Sequence, residues 1–165
     1  MRIAQISPLV ESVPPRLYGG SERVVSFLTE ELVAQGHDVT LFASGDSITS
    51  AKLIPCVPNA LRLNPAVRDH IPYYMVMLKT VRDMAGQFDV LHFHTDNLHF
   101  PVFSGVLAAR TVTTLHSRQV ARPRCALRSI SRKCRSSRFL MRSARLCPTH
   151  FAGTIPHGLP GTCYH

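Results

Sequence analysis

The sequence predicts an α/β fold, a doubly wound parallel sheet with helices on its faces. Three observations predict it. A strand-like run, a loop, a helix-period stretch and a second strand-like run follow one another within residues 2–42. Two further β-type runs, DVLHFH at 89–94 and TVTTL at 111–115, are separated by a stretch of helical length. The polar residues able to do chemistry fall at or just beyond the ends of these runs, where ligands bind in such sheets.

Arg2 to Ile6 is a short apolar run of β type. Residues 7–20 hold three prolines and a glycine pair, the composition of a loop. From 21 to 35 the period becomes helical. Val24, Phe27, Leu28 and Leu32 fall at i, i+3, i+4 and i+8, which predicts an apolar face, with Glu22, Ser26 and Glu30 opposite. Gly36 then offers a left-handed stop. DVTLF at 38–42 is the second strand, and 52–54 a short third. Residues 72–87 read as a helix with proline in the first turn, and Tyr73, Tyr74, Met75, Met77 and Met84 read as its core packing. After the strand at 89–94, residues 98–109 are expected to form a helix weakened by Pro101, and 111–115 a strand ending at His116. Residues 117–150 show neither a 2 nor a 3.6 period, and a strand is expected again at 151–155.

The chain has 165 residues, 45% of them hydrophobic and 18% charged, enough for one domain with a real core. No apolar run approaches the roughly 18 residues of a membrane span. Five cysteines without a paired framework point to a reducing, cytoplasmic setting. The net charge of +9 suggests nucleic acid until it is divided by segment. Residues 117–150 carry nine Arg, one Lys and no acid, which is +10; the rest carry nine basic and ten acidic residues, which is −1. The basicity therefore belongs to 34 residues. Phe139 is their only aromatic residue, and they are rich in Ser and Cys. That makes a nucleic-acid arm a poor fit. Translation of GC-rich coding DNA in a shifted frame fits better.

Gly19 and Gly20 join the first strand to the first helix. They suit either a turn or a close backbone approach to a phosphate or sugar at a helix N-terminus. Neither a P-loop nor a dinucleotide fingerprint is present. Glu22 in the first helical turn favours the helix dipole and opposes a nearby anion. His92, His94 and Asp96 alternate, which predicts one shared face, and His116 closes the next strand. Their spacing does not demand a metal; a polar pocket for a hydroxylated or phosphorylated ligand and a set of structural histidines are the competing readings. Cys56 has no partner nearby and reads as a buried thiol.

Residues 1–53, from MRIAQISP through the Gly-Gly-x-Glu loop and the helix ending in Gly-His to DVTLFASGDS, resemble the N-terminal domain of bacterial family 4 glycosyltransferases. FDVLHFHTD and TVTTLH resemble the later strands of that domain, so the resemblance covers 1–116. FAGTIPHGLP at 151–160 resembles the family's turn toward its second domain. The resemblance implies a Rossmann-like half of a GT-B fold. It implies transfer of a sugar from a nucleotide-sugar donor to an acceptor that the sequence does not name, with retention and without a metal or other cofactor. His116 would face the reacting sugar, Gly19 and Gly20 would lie near the donor phosphates or the acceptor, and His94 and Asp96 would line the site. The expected organisation is a glycosyltransferase N-terminal domain at 1–116, an atypical basic tract at 117–150 and a linker-like strand and turn at 151–165. The donor-binding second domain of the family has no counterpart here, so a truncated chain with weak or absent donor binding and no efficient turnover is expected. A nucleic-acid-binding module and a non-catalytic remnant are the alternatives.

Overall fold

The computed structural model describes residues 1–62, 64–116, 138–141 and 151–153. Among these, seven strands form one sheet: β1 (Arg2–Ile6), β2 (Asp38–Ser44), β3 (Lys52–Val57), β4 (Val90–Phe93), β5 (Thr111–Leu115), β6 (Arg138–Met141) and β7 (Phe151–Gly153). Their order is β3-β2-β1-β4-β5-β6-β7, and every neighbouring pair is parallel. The chain winds outward from β1 to β3, returns to the other side of β1, and winds outward again from β4. The order reverses between β1 and β4, and that junction is the topological switch point.

A parallel sheet must be covered on both faces. One face buries Ala4, Ile6, Phe42, Leu91 and Phe93 beneath helix α2 (Ile71–Met84), which contributes Tyr74, Met77, Leu78 and Val81. The other face buries Leu41 and Ala43 with Val13 and with Val25 of helix α1 (Gly20–Ala34). In α2, Tyr74 and Met77 join the core as expected, and Met84 packs at its margin, but Tyr73 and Met75 are exposed. They fall on the helix side turned away from the sheet.

The stop of α1 follows its sequence. Gly36 has φ +82°. Its N–H donates to the Val33 carbonyl at 2.9 Å, and that of His37 to Leu32 at 3.1 Å. This is a Schellman closure, which needs a left-handed residue. The face of α1 differs from expectation. Glu22, Val25, Ser26 and Thr29 are the buried residues, while Val24, Phe27, Leu28 and Leu32 are only half-buried. Val25 packs on Leu41 and Ala43, and the buried face it leads is set by that contact rather than by the bulkier stripe.

Two other expectations change. Residues 98–109 form no α-helix; turns lead into a 3-10 helix over Gly105–Arg110. Pro101 supplies no N–H to a helix, and Gly105 sits at φ +66°. Within the basic tract, β6 continues the sheet beside β5. The remaining residues of 117–150, with Cys125, Cys134 and Cys147, lie outside the described residues, as do Cys163 and the rest of 154–165. Neither described helix is long and apolar enough to cross a membrane.

Candidate functional site

The carboxyl ends of β1, β4 and β5 carry the residues of interest. Gln5 of β1 pairs in register with His92 of β4, and His92 pairs with Val112 of β5. Side chains alternate along strands, so Gln5, His92 and Thr114 share one face, and His94 and His116 extend that row beyond the strand ends. They form one continuous hydrogen-bonded chain. The His116 Nε2 and His94 Nδ1 atoms are 2.9 Å apart, and His94 Nε2 lies 2.9 Å from Gln5 Oε1. Gln5 Nε2 lies 3.4 Å from His92 Nδ1, and His92 Nε2 2.8 Å from Thr114 Oγ1. The His92 and His94 ring centroids are 4.2 Å apart, and those of His94 and His116 are 5.2 Å apart.

Gln5, His92 and His94 are buried, and His116 is half-buried. Burial, with His116 nearby, pulls the His92 pKa down to about 4, so its ring is neutral at pH 7. His99 lies on the opposite face, stacked on Phe93 with ring centroids 3.9 Å apart and Nε2 2.9 Å from Thr113 Oγ1. Burial pulls its pKa down to about 3. It packs against the end of β4 on the face opposite the His92–His94 row.

Asp96 departs from the expected shared face. The extended backbone ends at Phe93, and Asp96 takes φ +49°, which breaks the alternation. Its charge acts on Tyr74, which packs on the α2 side of the sheet. Burial first, and then Glu22 and Asp96, push the Tyr74 phenol up to about 12, against a hydrogen bond in which its oxygen accepts from the Leu9 N–H at 3.0 Å. The structure therefore joins His92, His94 and His116 in one row through Gln5, and the left-handed turn at Asp96 ends the strand alternation beyond them.

Gly19 and Gly20 differ from each other. A Cβ at Gly19 would stand 2.7 Å from Pro15 Cβ and 3.0 Å from Glu22 Oε2, whereas a Cβ at Gly20 would meet nothing within 4 Å. Gly19 is required by packing, and Gly20 opens onto space at the N-terminus of α1. Glu22 is buried beneath this loop. Burial raises its pKa, while hydrogen bonds from its own N–H and that of Glu11 oppose the rise. Arg62 braces the loop: Nη1 donates to the Tyr18 carbonyl at 2.7 Å and lies 3.2 Å from Glu11 Oε1.

Ser7 follows β1 and Thr95 follows β4 by two residues, one on each side of the switch point. Both are buried, and neither hydroxyl oxygen has a hydrogen-bond partner among the described residues. Buried polar atoms are nearly always satisfied, and these two stand at the edge where ligands bind in sheets of this kind. Sequence reasoning missed Gln5, Thr114, Arg62, Ser7 and Thr95. No motif contains them; only the strand register of Gln5 opposite His92 could have hinted at the first. Cys56 is half-buried, and burial pushes its thiol pKa up to about 12, which makes it a poor nucleophile.

A doubly wound parallel sheet with polar groups gathered at the carboxyl edge of its switch point is an α/β domain of the Rossmann type. The model of Glycosyltransferase Family 4 matches residues 18–153, and the chain belongs to that family. Among solved structures, the chain is similar to AviGT4, a glycosyltransferase involved in avilamycin A biosynthesis, with 24% identity and a TM-score of 0.49. That similarity covers 70% of this chain and 32% of AviGT4. No curated protein matches.

Proposed function

We propose that this chain forms the acceptor-side half of a sugar-transfer site, serving transfer from a nucleotide-sugar donor to a hydroxyl acceptor. The observation that carries the reading is the His94–His116 pair at the carboxyl edge of the sheet in a family 4 chain. An imidazole there can hold a sugar hydroxyl in one orientation, and fixed orientation is a large part of what transfer requires. The hydroxyls of Ser7 and Thr95 add two polar atoms at the same edge. Gly20 leaves room for a ligand to approach the N-terminus of α1. Glu22 in that first turn disfavours an unneutralised phosphate. His116 is the proposed catalytic residue. His94 supports it directly, Gly19 shapes the loop, and Asp96 serves the Tyr74 side of the edge.

The test is a ring-nitrogen NMR titration of the 165-residue chain with UDP-, GDP- and ADP-glucose, and with glucose as the acceptor probe. Saturable shifts of the His94 and His116 signals in the wild type, with the His94 shift lost in His116→Ala, support the reading. Rings indifferent to every probe at millimolar concentration would count against it. The same preparation is expected to show no turnover, because family resemblance implies an active site shared with a second domain. Sugar release or transfer above the no-enzyme rate would refute that expectation.

A further inference from the structure

The hydrogen-bonded chain across β1, β4 and β5 has a direction, and the direction comes from one amide. Gln5 is fully buried, and its side chain uses both ends. The Nε2 end can only donate, so His92 Nδ1 accepts from it. A neutral His92 then carries its proton on Nε2 and donates to Thr114 Oγ1. The Oε1 end can only accept, so His94 Nε2 carries a proton and donates to it. In a neutral His94 ring the other nitrogen, Nδ1, is a lone pair. The 2.9 Å contact to His116 then requires His116 Nε2 to be the donor. Donation runs one way, from His116 to His94 to Gln5 to His92 to Thr114.

We propose that Gln5 is a positioning residue that fixes the tautomer of His116. Through His94 it holds the His116 proton on Nε2 and leaves Nδ1 as the lone-pair atom of that ring. In this tautomer it is Nδ1, and not Nε2, that has the accepting character of the ring. The fixed ring orientation spares the cost of choosing between two tautomers when a hydroxyl binds. Hydroxyl recognition at this ring rests on the transferase reading above; the wiring of the tautomer does not.

The experiment is long-range ¹H–¹⁵N NMR of the histidine rings in the full 165-residue chain at pH 7.5, which reads the tautomer of each ring. The expected wild-type result is the Nε2–H form for His92, His94 and His116. His116 found as Nδ1–H overturns the proposal at once. Gln5→Met keeps the volume and removes both amide atoms. In the folded variant the His116 population is expected to move by at least half toward Nδ1–H, and an unchanged population overturns the proposal. Gln5→Glu gives a different signature, because a carboxylate only accepts. It should turn His92 to Nδ1–H and leave His94 and His116 as Nε2–H. A His92 ring that stays Nε2–H in this variant also overturns the wiring. Merely structural packing of Gln5 would shift melting temperature without this pattern of proton positions. Tautomers that behave as expected beside rings that bind no sugar would overturn the transferase reading alone.

Discussion

Gly19 and Gly20 look interchangeable in the sequence and are not so in the structure. Any Cβ at Gly19 collides with Pro15, itself part of the loop, so neither group can yield cheaply. Gly19→Ala is expected to lose about 1–3 kcal/mol in urea unfolding, the usual cost of overpacking. Gly20→Ala meets open space at the first helical position and should be neutral or stabilising by up to about 1 kcal/mol. Equal losses at both positions would contradict the contact argument. The histidines divide in a similar way. His94 and His116 meet at the strand ends, whereas His99 is a core ring stacked on Phe93. Spacing alone placed His92, His94 and Asp96 on one face, and the left-handed backbone at Asp96 ends the alternation on which that spacing argument rests. Gln5 and Thr114 were invisible as functional residues, because each is ordinary within a strand. Their meaning comes only from the neighbours that pairing brings beside them.

Among the elements, those with a clean period were legible. β1 and β5 lie where their apolar runs predicted, and α1 and α2 agree with their helical stretches to within a few residues. Gly36 stopped α1 by the mechanism its position suggested. An alanine there must adopt φ +82° or break two capping hydrogen bonds. Gly36→Ala is therefore expected to cost about 1–2 kcal/mol, read as a lower urea midpoint with an unchanged slope. The 98–109 stretch was illegible because its apolar residues mimic a helix that Pro101 and Gly105 prevent. β6 was illegible because four residues in an Arg-rich setting carry too little pattern to outweigh their surroundings. The face of α1 was misjudged for a third reason. Hydrophobicity pointed to Val24, Phe27, Leu28 and Leu32, but the contact of Val25 with Leu41 and Ala43 turned the side with Ser26 and Thr29 inward.

At the scale of the whole molecule, the buried rings of His92 and His99 resist protonation, and this shapes the response to acid. In the unfolded chain His92 and His99 titrate near the ordinary 6.5; in the folded chain burial holds them near 4 and 3. Above 6.5 neither state binds the protons and stability is full. As pH falls through 6.5 the unfolded state takes protons that the folded state refuses, so stability drops until each folded value is reached. Together the two rings should remove about 4 kcal/mol between pH 7.5 and 5. Urea unfolding at the two pH values measures it, and His99→Phe, which keeps the stacked ring, should roughly halve the loss. A chain equally stable at both would show that these rings are not held neutral. The sheet order has a further consequence, for synthesis. β1 leaves the ribosome ahead of the six other described strands, yet it lies in the interior of the sheet, between β2 and β4. β2 can dock as soon as residue 44 emerges, but the other edge of β1 waits until residue 93. At about 5–20 residues per second the nascent chain spends seconds with the backbone N–H and C=O groups of that edge unpaired. Chaperone capture during translation should therefore concentrate in the interval between β2 and β4, and fall away once the second half of the sheet has a strand to build upon.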